Sequence, residues 1–419
     1  MSTPSPALVT DTAPVISPVS GKERIHVLDI LRGFALFGIL LVNIDDYLGK
    51  PMGNADSAAN WLMQFLAEGK FYPLFSFLFG VGFAIQMGRA EAKGARFISL
   101  YIRRLLSLLL IAVAYYIFLE DRHILLRYAV LGFPLLLFRH CSLKTILLWA
   151  VISMAVAVGF NSAIFTINQL RRANPATAQA MDRVSAEQRT QLQELKPQIF
   201  EGNYIESSIA RAKKLVYTKG AGVIGGNTFI HLTLPLILAM FLLGVYAVRR
   251  GVFHDVATHR LFIRKVMWWG LGLGFVGTLA SLLLKPVVAP YFSVPEFQSS
   301  LNGVVLALSL RALSLSGVGL TLFYASAITL LVQEDAWLKR LSFLSWVGRM
   351  ALTNYMMQSF FMTLIFFGYG LGVTAGPAMG WALTLAIFST HVPLSIWWLR
   401  RFKFGPMEWV WRSLTYLKP

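Results

Sequence analysis

Residues 24–47 read RIHVLDILRGFALFGILLVNIDDY, and the reading of this stretch decides the fold. From Ile25 to Val42 it is apolar enough to cross a bilayer, yet Asp29 and Arg32 lie near its start and Asn43, Asp45 and Asp46 near its end. At about 100° per residue, Arg32 and Asn43 fall roughly 20° apart on the helical wheel, and Asp29 and Asp46 lie within about 60° of Arg32. An ionised side chain facing lipid costs at least about 2.5 kcal/mol, so such groups turn toward a bundle interior or a water-filled cavity. The spacing therefore predicts one polar stripe along a greasy rod, with Asp29, Arg32, Asn43 and, from a later span, Asn354 facing a common cavity. A plainer reading makes Asp29 and Arg32 a surface (i, i+3) pair and Asn43 a packing hydrogen bond. Both stay open at this point.

Composition sets the class. Of 419 residues, 56% are hydrophobic and only 14% charged, far from the balance of a soluble domain. Repeated apolar runs predict an all-α polytopic membrane protein of about ten spans. Their predicted ranges are 26–48, 70–89, 98–119, 123–138, 143–165, 228–248, 263–284, 311–332, 350–369 and 378–398. The formal charge of +18 raises the question of nucleic acid, but most Lys and Arg sit in short connectors between apolar runs. Arg89, Arg103, Arg139, Lys144, Arg249, Arg250, Lys339 and Arg400 mark alternate connectors or their flanks. That alternation is the positive-inside pattern, which puts both termini of a multi-pass membrane protein in the cytoplasm. No basic face is left over for nucleic acid. The single cysteine, Cys141, excludes an internal disulfide and a Cys-based metal site, and no metal is expected.

The chain divides into a Ser/Thr/Pro-rich cytoplasmic tail (1–23), a five-helix half (24–165), an extracytoplasmic segment (166–227), a second five-helix half (228–403) and a C-terminal interfacial helix (404–419). Residues 166–227 read either as amphipathic helices over the outer mouth, a lid or acceptor platform, or as a solvated connector. In the last segment Met407, Trp411 and Leu414 share a face, and Glu408 and Arg412 are spaced as an (i, i+4) pair. The run from Leu301 to Val332 is too long for one straight span and holds Arg311, which predicts either a break there or a snorkelling arginine. The short fourth span contains Pro134, which predicts a tilted or broken helix.

Two G-x-G-x-x-G matches occur, at Gly220, Gly222 and Gly225 and at Gly272, Gly274 and Gly277. Neither follows a strand, so a hinge and a helix-packing face are the better readings. Of the seven histidines, His123 and His231 fall near the outer face where Asn43 and Asp46 end, and His391 falls inside the tenth span. Imidazole suits proton transfer near neutral pH, so His123 and His231 beside Asp46 make a candidate general-base site, though each taken alone is more often a hydrogen-bonded packing residue. Asn354 and Gln358, one turn apart, can hydrogen-bond a neighbour or a substrate.

Several motifs carry a resemblance. L-D-x-L-R-G-x-A from Leu28, G-I-L-L-V-N from Gly38, the second span from Lys70 to Gln86, G-R-x-A-L-T-N-Y-x-x-Q-S from Gly348, and F-G-P-x-E-W-x-W-R-x-L-T-Y from Phe404 resemble the YeiB-like (DUF418) membrane proteins. The likeness extends over nearly all of the chain after residue 24. In its first span that family is similar to the transmembrane acyltransferases, and activity enters only through this likeness. The related lysosomal N-acetyltransferases carry an Asn where Asn43 falls and an acetyl-transferring His in the following outer loop. Here Ile44 to Gly69 has no histidine, which favours direct transfer assisted by a general base. A second departure is His123, where the family usually shows an acidic residue before Ile124-Leu125.

The resemblance implies an integral-membrane acyltransferase. Acyl-CoA would be the co-substrate, with no covalently bound cofactor, its phosphates meeting Arg32, Arg103, Arg104 and Arg349. Asp46, His123 or His231 would deprotonate the acceptor and Asn43 would donate to the oxyanion, while Asp29, Asn354 and Gln358 help bind substrate. The acceptor is an envelope glycan, a lipid headgroup or a small metabolite, and the partners are membrane lipids and, in one reading, a second copy in a homodimer. The alternative is a transporter or channel for an anionic or amphipathic small molecule, with the polar stripe and Arg311 along its path. A structural membrane partner without turnover is the third reading.

Overall fold

A computed structural model describes residues 25–92, 97–121, 124–172, 174–217, 228–288 and 315–416. All regular structure among these residues is helical. In chain order the helices are α1 (His26–Asp45), α2 (Asn54–Leu66), α3 (Phe71–Ala92), α4 (Phe97–Phe118), α5 (Leu125–Gly132), α6 (Leu143–Arg172), α7 (Pro175–Phe200) and α8 (Tyr204–Tyr217). They continue with α9 (Thr228–Arg249), α10 (Arg260–Val288), α11 (Ser316–Leu331), α12 (Asp335–Arg349), α13 (Ala351–Phe366), α14 (Pro377–Arg401) and α15 (Pro406–Tyr416).

Among the described residues, five helical stretches are long and apolar enough to cross a membrane: His26–Asp45, Asn54–Ala92, Phe97–Phe118, Arg260–Leu283 and Pro377–Arg401. They are not equivalent. The apolar window of α1 is 72% buried within the protein, that of α10 only 22%. The first helix is thus the axis, touching α3, α11, α12, α13 and α14. On the outside, Trp268, Trp269, Leu273 and Val276 of α10, Leu106 and Leu110 of α4, and Leu148 and Val151 of α6 stand exposed. Such apolar belts suit a lipid surround rather than water.

Why α1 lies at the centre follows from its glycines. A Cβ at Gly348 of α12 would lie 1.9 Å from the Asp29 carbonyl oxygen, and one at Gly33 2.1 Å from that of Leu344. The two backbones are in direct contact, an approach that only glycine permits and that gains van der Waals packing where lipid offers no hydrophobic drive. Asp29 and Arg32 are thereby held against the end of α12 and the start of α13.

Several elements depart from the expectations. Residues 335–349, expected as part of a connector, form α12, and α2 occupies the loop expected between the first two spans. Both are amphipathic pieces whose apolar residues find partners only in the folded bundle. The fourth span breaks where Pro134 removes a backbone donor: α5 ends at Gly132 and a 3-10 helix runs Pro134–Phe138. The break expected near Arg311, the first glycine motif and the tail 1–23 lie outside the described residues. The second glycine motif lies in α10, where a Cβ on Gly274 would come within 2.5 Å of Leu320 N of α11; it is a packing face. Residues 166–217 contain the end of α6 and helices α7 and α8. The latter two dock on the bundle through Leu195, Ile199 and Ala210 against Phe367.

Helix ends are capped by distant carboxylates. Asp56 of α2 accepts from Ala378 N at 3.0 Å, satisfying the start of α14, and Trp381 Nε1 donates to Ala59 O at 3.1 Å. Glu408 of α15 does the same for α13, accepting from Leu352 N at 2.6 Å, Thr353 N at 3.2 Å and Thr353 Oγ1 at 2.5 Å. The C-terminal helix forms as expected. Met407 and Trp411 pack on the core while Leu414 is exposed, so the three do not share one buried face. Replacing Glu408 with alanine orphans the first donors of α13, and thermal unfolding in detergent should report a loss of about 2 kcal/mol. Glu408→Gln, which keeps one acceptor oxygen, should recover part of it.

Candidate functional site

Asp29 and Arg32 are joined by a 2.8 Å bond from Nη1 to Oδ1, and both line a cavity of about 280 Å³ bounded by α1, α3, α4, α5, the end of α12, α13 and α15. One end of its lining, by position along the helices, is polar: Arg32, Arg104, Arg349 and Arg412 stand against two acids, Asp29 and Glu408, with Gln86 beside them. Its inner part is aromatic and apolar, built from Phe75, Phe79, Leu108, Leu125, Tyr128 and Tyr355. Four guanidinium groups against two carboxylates leave an excess of positive charge. The Arg104 guanidinium lies close enough to Arg32 and Arg412 for their like charges to act on it.

Packing holds these cations in place. Arg104 lies over the Trp411 ring at 4.2 Å, and Trp411 Nε1 donates to Arg104 O at 2.9 Å. Arg349 sits 4.9 Å from the Trp346 ring and Arg412 4.0 Å from that of Phe404. The guanidinium planes are thus preset by aromatic faces, an arrangement suited to a planar or phosphate-bearing anion.

Of the substrate-binding residues expected from sequence, Asp29, Arg32 and Arg349 line this cavity; Asn43, Asn354 and Gln358 do not. The expectation that Asn43 and Asn354 face it is corrected. Asn43 hydrogen-bonds the side chain of Tyr355, whose ring forms part of the wall. Asn354 is buried and donates to Val347 O at 2.9 Å and Ser395 Oγ at 3.0 Å, tying α13 to α12 and α14. Gln358 is buried and donates to Leu36 O at 3.2 Å. His391 packs between Phe361 and Phe388, its Nδ1 2.6 Å from Ile387 O. Of Arg103 and Arg104, only Arg104 turns inward; Arg103 is exposed.

The expected base residues do not converge among the described groups. Asp46 is exposed at the end of α1, His123 lies outside the described residues, and His231 belongs to the first turn of α9, with no side chain described. At that same end of the bundle stands a buried carboxyl. Glu120, just past α4, is only 2% exposed. Tyr47 Oη donates to its Oε1 at 2.8 Å, while Ser359 Oγ at 2.5 Å and Tyr115 Oη at 3.4 Å donate to Oε2. Burial pushes this carboxyl up to about 7, against the hydrogen bonds from Ser359 and Tyr47 that favour its charged form. Nothing in the local pattern Leu119-Glu120-Asp121 separates a buried acid from a solvated one. Tyr355 belongs to the G-R-x-A-L-T-N-Y motif, but its place between the cavity and Glu120 is a product of packing.

An all-helical bundle with several bilayer-length helices and a sheltered, arginine-rimmed chamber beside the first of them defines a membrane-type protein with an internal anion-attracting cavity. The comparisons place it more narrowly: the chain belongs to the YeiB-like family, whose profile, described as "Protein of unknown function (DUF418)", matches residues 247–418. It is 34% identical over 423 residues to the uncharacterized protein YxaH of Bacillus subtilis (strain 168), spanning 96% of each chain. It is also 28% identical to an uncharacterized 39.9 kDa protein from the amylase 3' region of Bacillus acidopullulyticus, over 96% of each chain. With the uncharacterized protein YeiB of Escherichia coli (strain K12) it shares 27% identity, over 94% of this chain and 96% of that one. No solved structure matches it.

Proposed function

We propose that this protein is an integral-membrane acyltransferase that takes an acyl group from a cytoplasmic thioester such as acetyl-CoA and passes it to an acceptor hydroxyl or amine. In this reading about ten spans cross the bacterial inner membrane, both termini are cytoplasmic, and the arginine-rimmed end of the cavity opens to the cytoplasm. The observation that carries the reading is the cavity's division into a cationic rim and an apolar depth. A thioester of this kind has the same division, with phosphates at one end and an uncharged acyl arm at the other. At about 280 Å³ the chamber is smaller than sites that enclose a whole drug-sized ligand, so it would receive the arm and leave the nucleotide at the rim.

Arg32, Arg104, Arg349 and Arg412 would bind the phosphates, and Asp29 would hold Arg32 in register. The acceptor class in this reading is an envelope glycan, a lipid headgroup or a small metabolite reaching the far end of the chamber. Asp46, His123 and His231 stay proposals for the base.

The test is saturable binding of labelled acetyl-CoA to the purified full-length protein in detergent, competed by free CoA. No binding, together with counterflow of an anionic solute in proteoliposomes, would replace this account with the transport reading.

A further inference from the structure

We infer that Glu120 is the proton-accepting group of this protein, connected to the inner wall of the cavity through the hydroxyls of Tyr355 and Tyr115. As the base of a transfer reaction this rests on the acyl-transfer reading; as a proton site it does not.

The connection is continuous. Tyr355 lines the cavity and hydrogen-bonds both Asn43 and Tyr115, whose ring stacks with its own at 5.8 Å. Tyr115 Oη and Ser359 Oγ share a short hydrogen bond, and both reach Glu120 Oε2. Each link is a hydroxyl that both donates and accepts, so a proton can be handed from one to the next.

The surroundings of Glu120 are not those of a structural ion pair. A buried carboxylate kept for stability ordinarily faces a cation. Among the described residues the facing groups are Tyr47 just past α1, Tyr115 of α4, and Ser359 and Tyr355 of α13, and the charged groups acting on it are acids, Asp121 and Asp46. Arg211 and Lys214 of the overlying α8 bond other groups, and Nη1 of Arg211 is buried without a hydrogen-bond partner. Arg211 gives Nε to Ile117 O at 2.9 Å, and Lys214 pairs with Asp121. Hydroxyl donors with acidic neighbours leave a carboxyl able both to take and to release a proton, which matches its rise to about 7.

In the transfer step the acceptor's oxygen or nitrogen bonds to the acyl carbon as the C–S bond breaks, its electron pair staying on sulfur. The acceptor's proton passes to Tyr355, the proton of Tyr355 to Tyr115, and that of Tyr115 to the Glu120 carboxylate. One negative charge enters on Glu120 and one leaves on the thiolate.

Infrared titration of the full-length protein in detergent tests this directly. The wild type should show a protonated-carboxyl band that disappears as pH rises through about 7, and Glu120→Gln should lack it. On transfer to heavy water, Tyr355→Phe should retain the band and slow its deuteration about tenfold or more. The folded protein holds this proton more tightly than the unfolded chain does. The linked stability is therefore complete below 4.5 and lost as pH rises through about 7, so the wild-type Tm falls across that window and that of Glu120→Gln does not. A band that survives in Glu120→Gln overturns the proton site, and unchanged deuteration in Tyr355→Phe overturns the route. Acetyl-CoA binding is measured on the same preparations. Its absence in the wild type sinks the transferase reading while the band still decides Glu120.

Discussion

Substituting Arg32 and Arg349 together by glutamine is expected to abolish measurable binding of acetyl-CoA while leaving a folded protein. A charge-assisted hydrogen bond contributes about 1.5–3 kcal/mol, so removing two costs about 3–6 kcal/mol. At 1.4 kcal/mol per tenfold, affinity should fall by about 10²- to 10⁴-fold. Arg32 is the 2.8 Å partner of Asp29, so the variant carries Asp29→Asn as well, to avoid stranding a buried acid. Arg349→Lys alone should cost about tenfold, because an ammonium keeps the charge but not the planar fork. Equilibrium binding of labelled acetyl-CoA decides the matter. Undiminished affinity in the glutamine variant would mean that the rim cations do not read phosphate.

The second large effect is structural. Gly348→Val should lower stability by about 3 kcal/mol or more, because the atoms it meets are the backbone of α1 and cannot rotate aside. Even alanine puts its Cβ 1.9 Å from Asp29 O. Separating α1 from α12 also moves Asp29 and Arg32 away from Arg349, so acetyl-CoA binding should disappear with the packing. Gly272→Ala is the control: no atom lies within 4 Å of its added Cβ, and in a helix the change should be neutral or stabilise by up to about 1 kcal/mol. Tryptophan fluorescence melts in detergent compare the two. Equal stability of Gly348→Val and wild type would contradict the backbone contact.

The prominence of α1 was legible in residues 24–47, since a bilayer-length apolar run bearing Asp29 and Arg32 has to shelter them. Helix positions were legible too: α3, α4, α9, α13 and α14 begin within a residue or two of their expected starts. Partners were not. The wheel puts Asn43 in line with Arg32, but a wheel angle says nothing of what stands opposite. Tyr355 from α13 stands there, between Asn43 and the cavity. Glu408, spaced for Arg412 on its own helix, accepts from the otherwise unsatisfied donors of Leu352 and Thr353, which only the meeting of α15 and α13 supplies.

Local composition decided by itself that this chain makes apolar helices and that its first one carries charge inward. Both follow from transfer free energies, which each segment feels alone. Which polar groups share a space was decided only by tertiary packing. The glycine contact between α1 and α12 sets the arginine rim, and the meeting of α4, α1 and α13 buries Glu120 among hydroxyls. Burial and hydrogen-bond partners are properties of the assembled bundle, and a carboxyl acquires its chemistry from them.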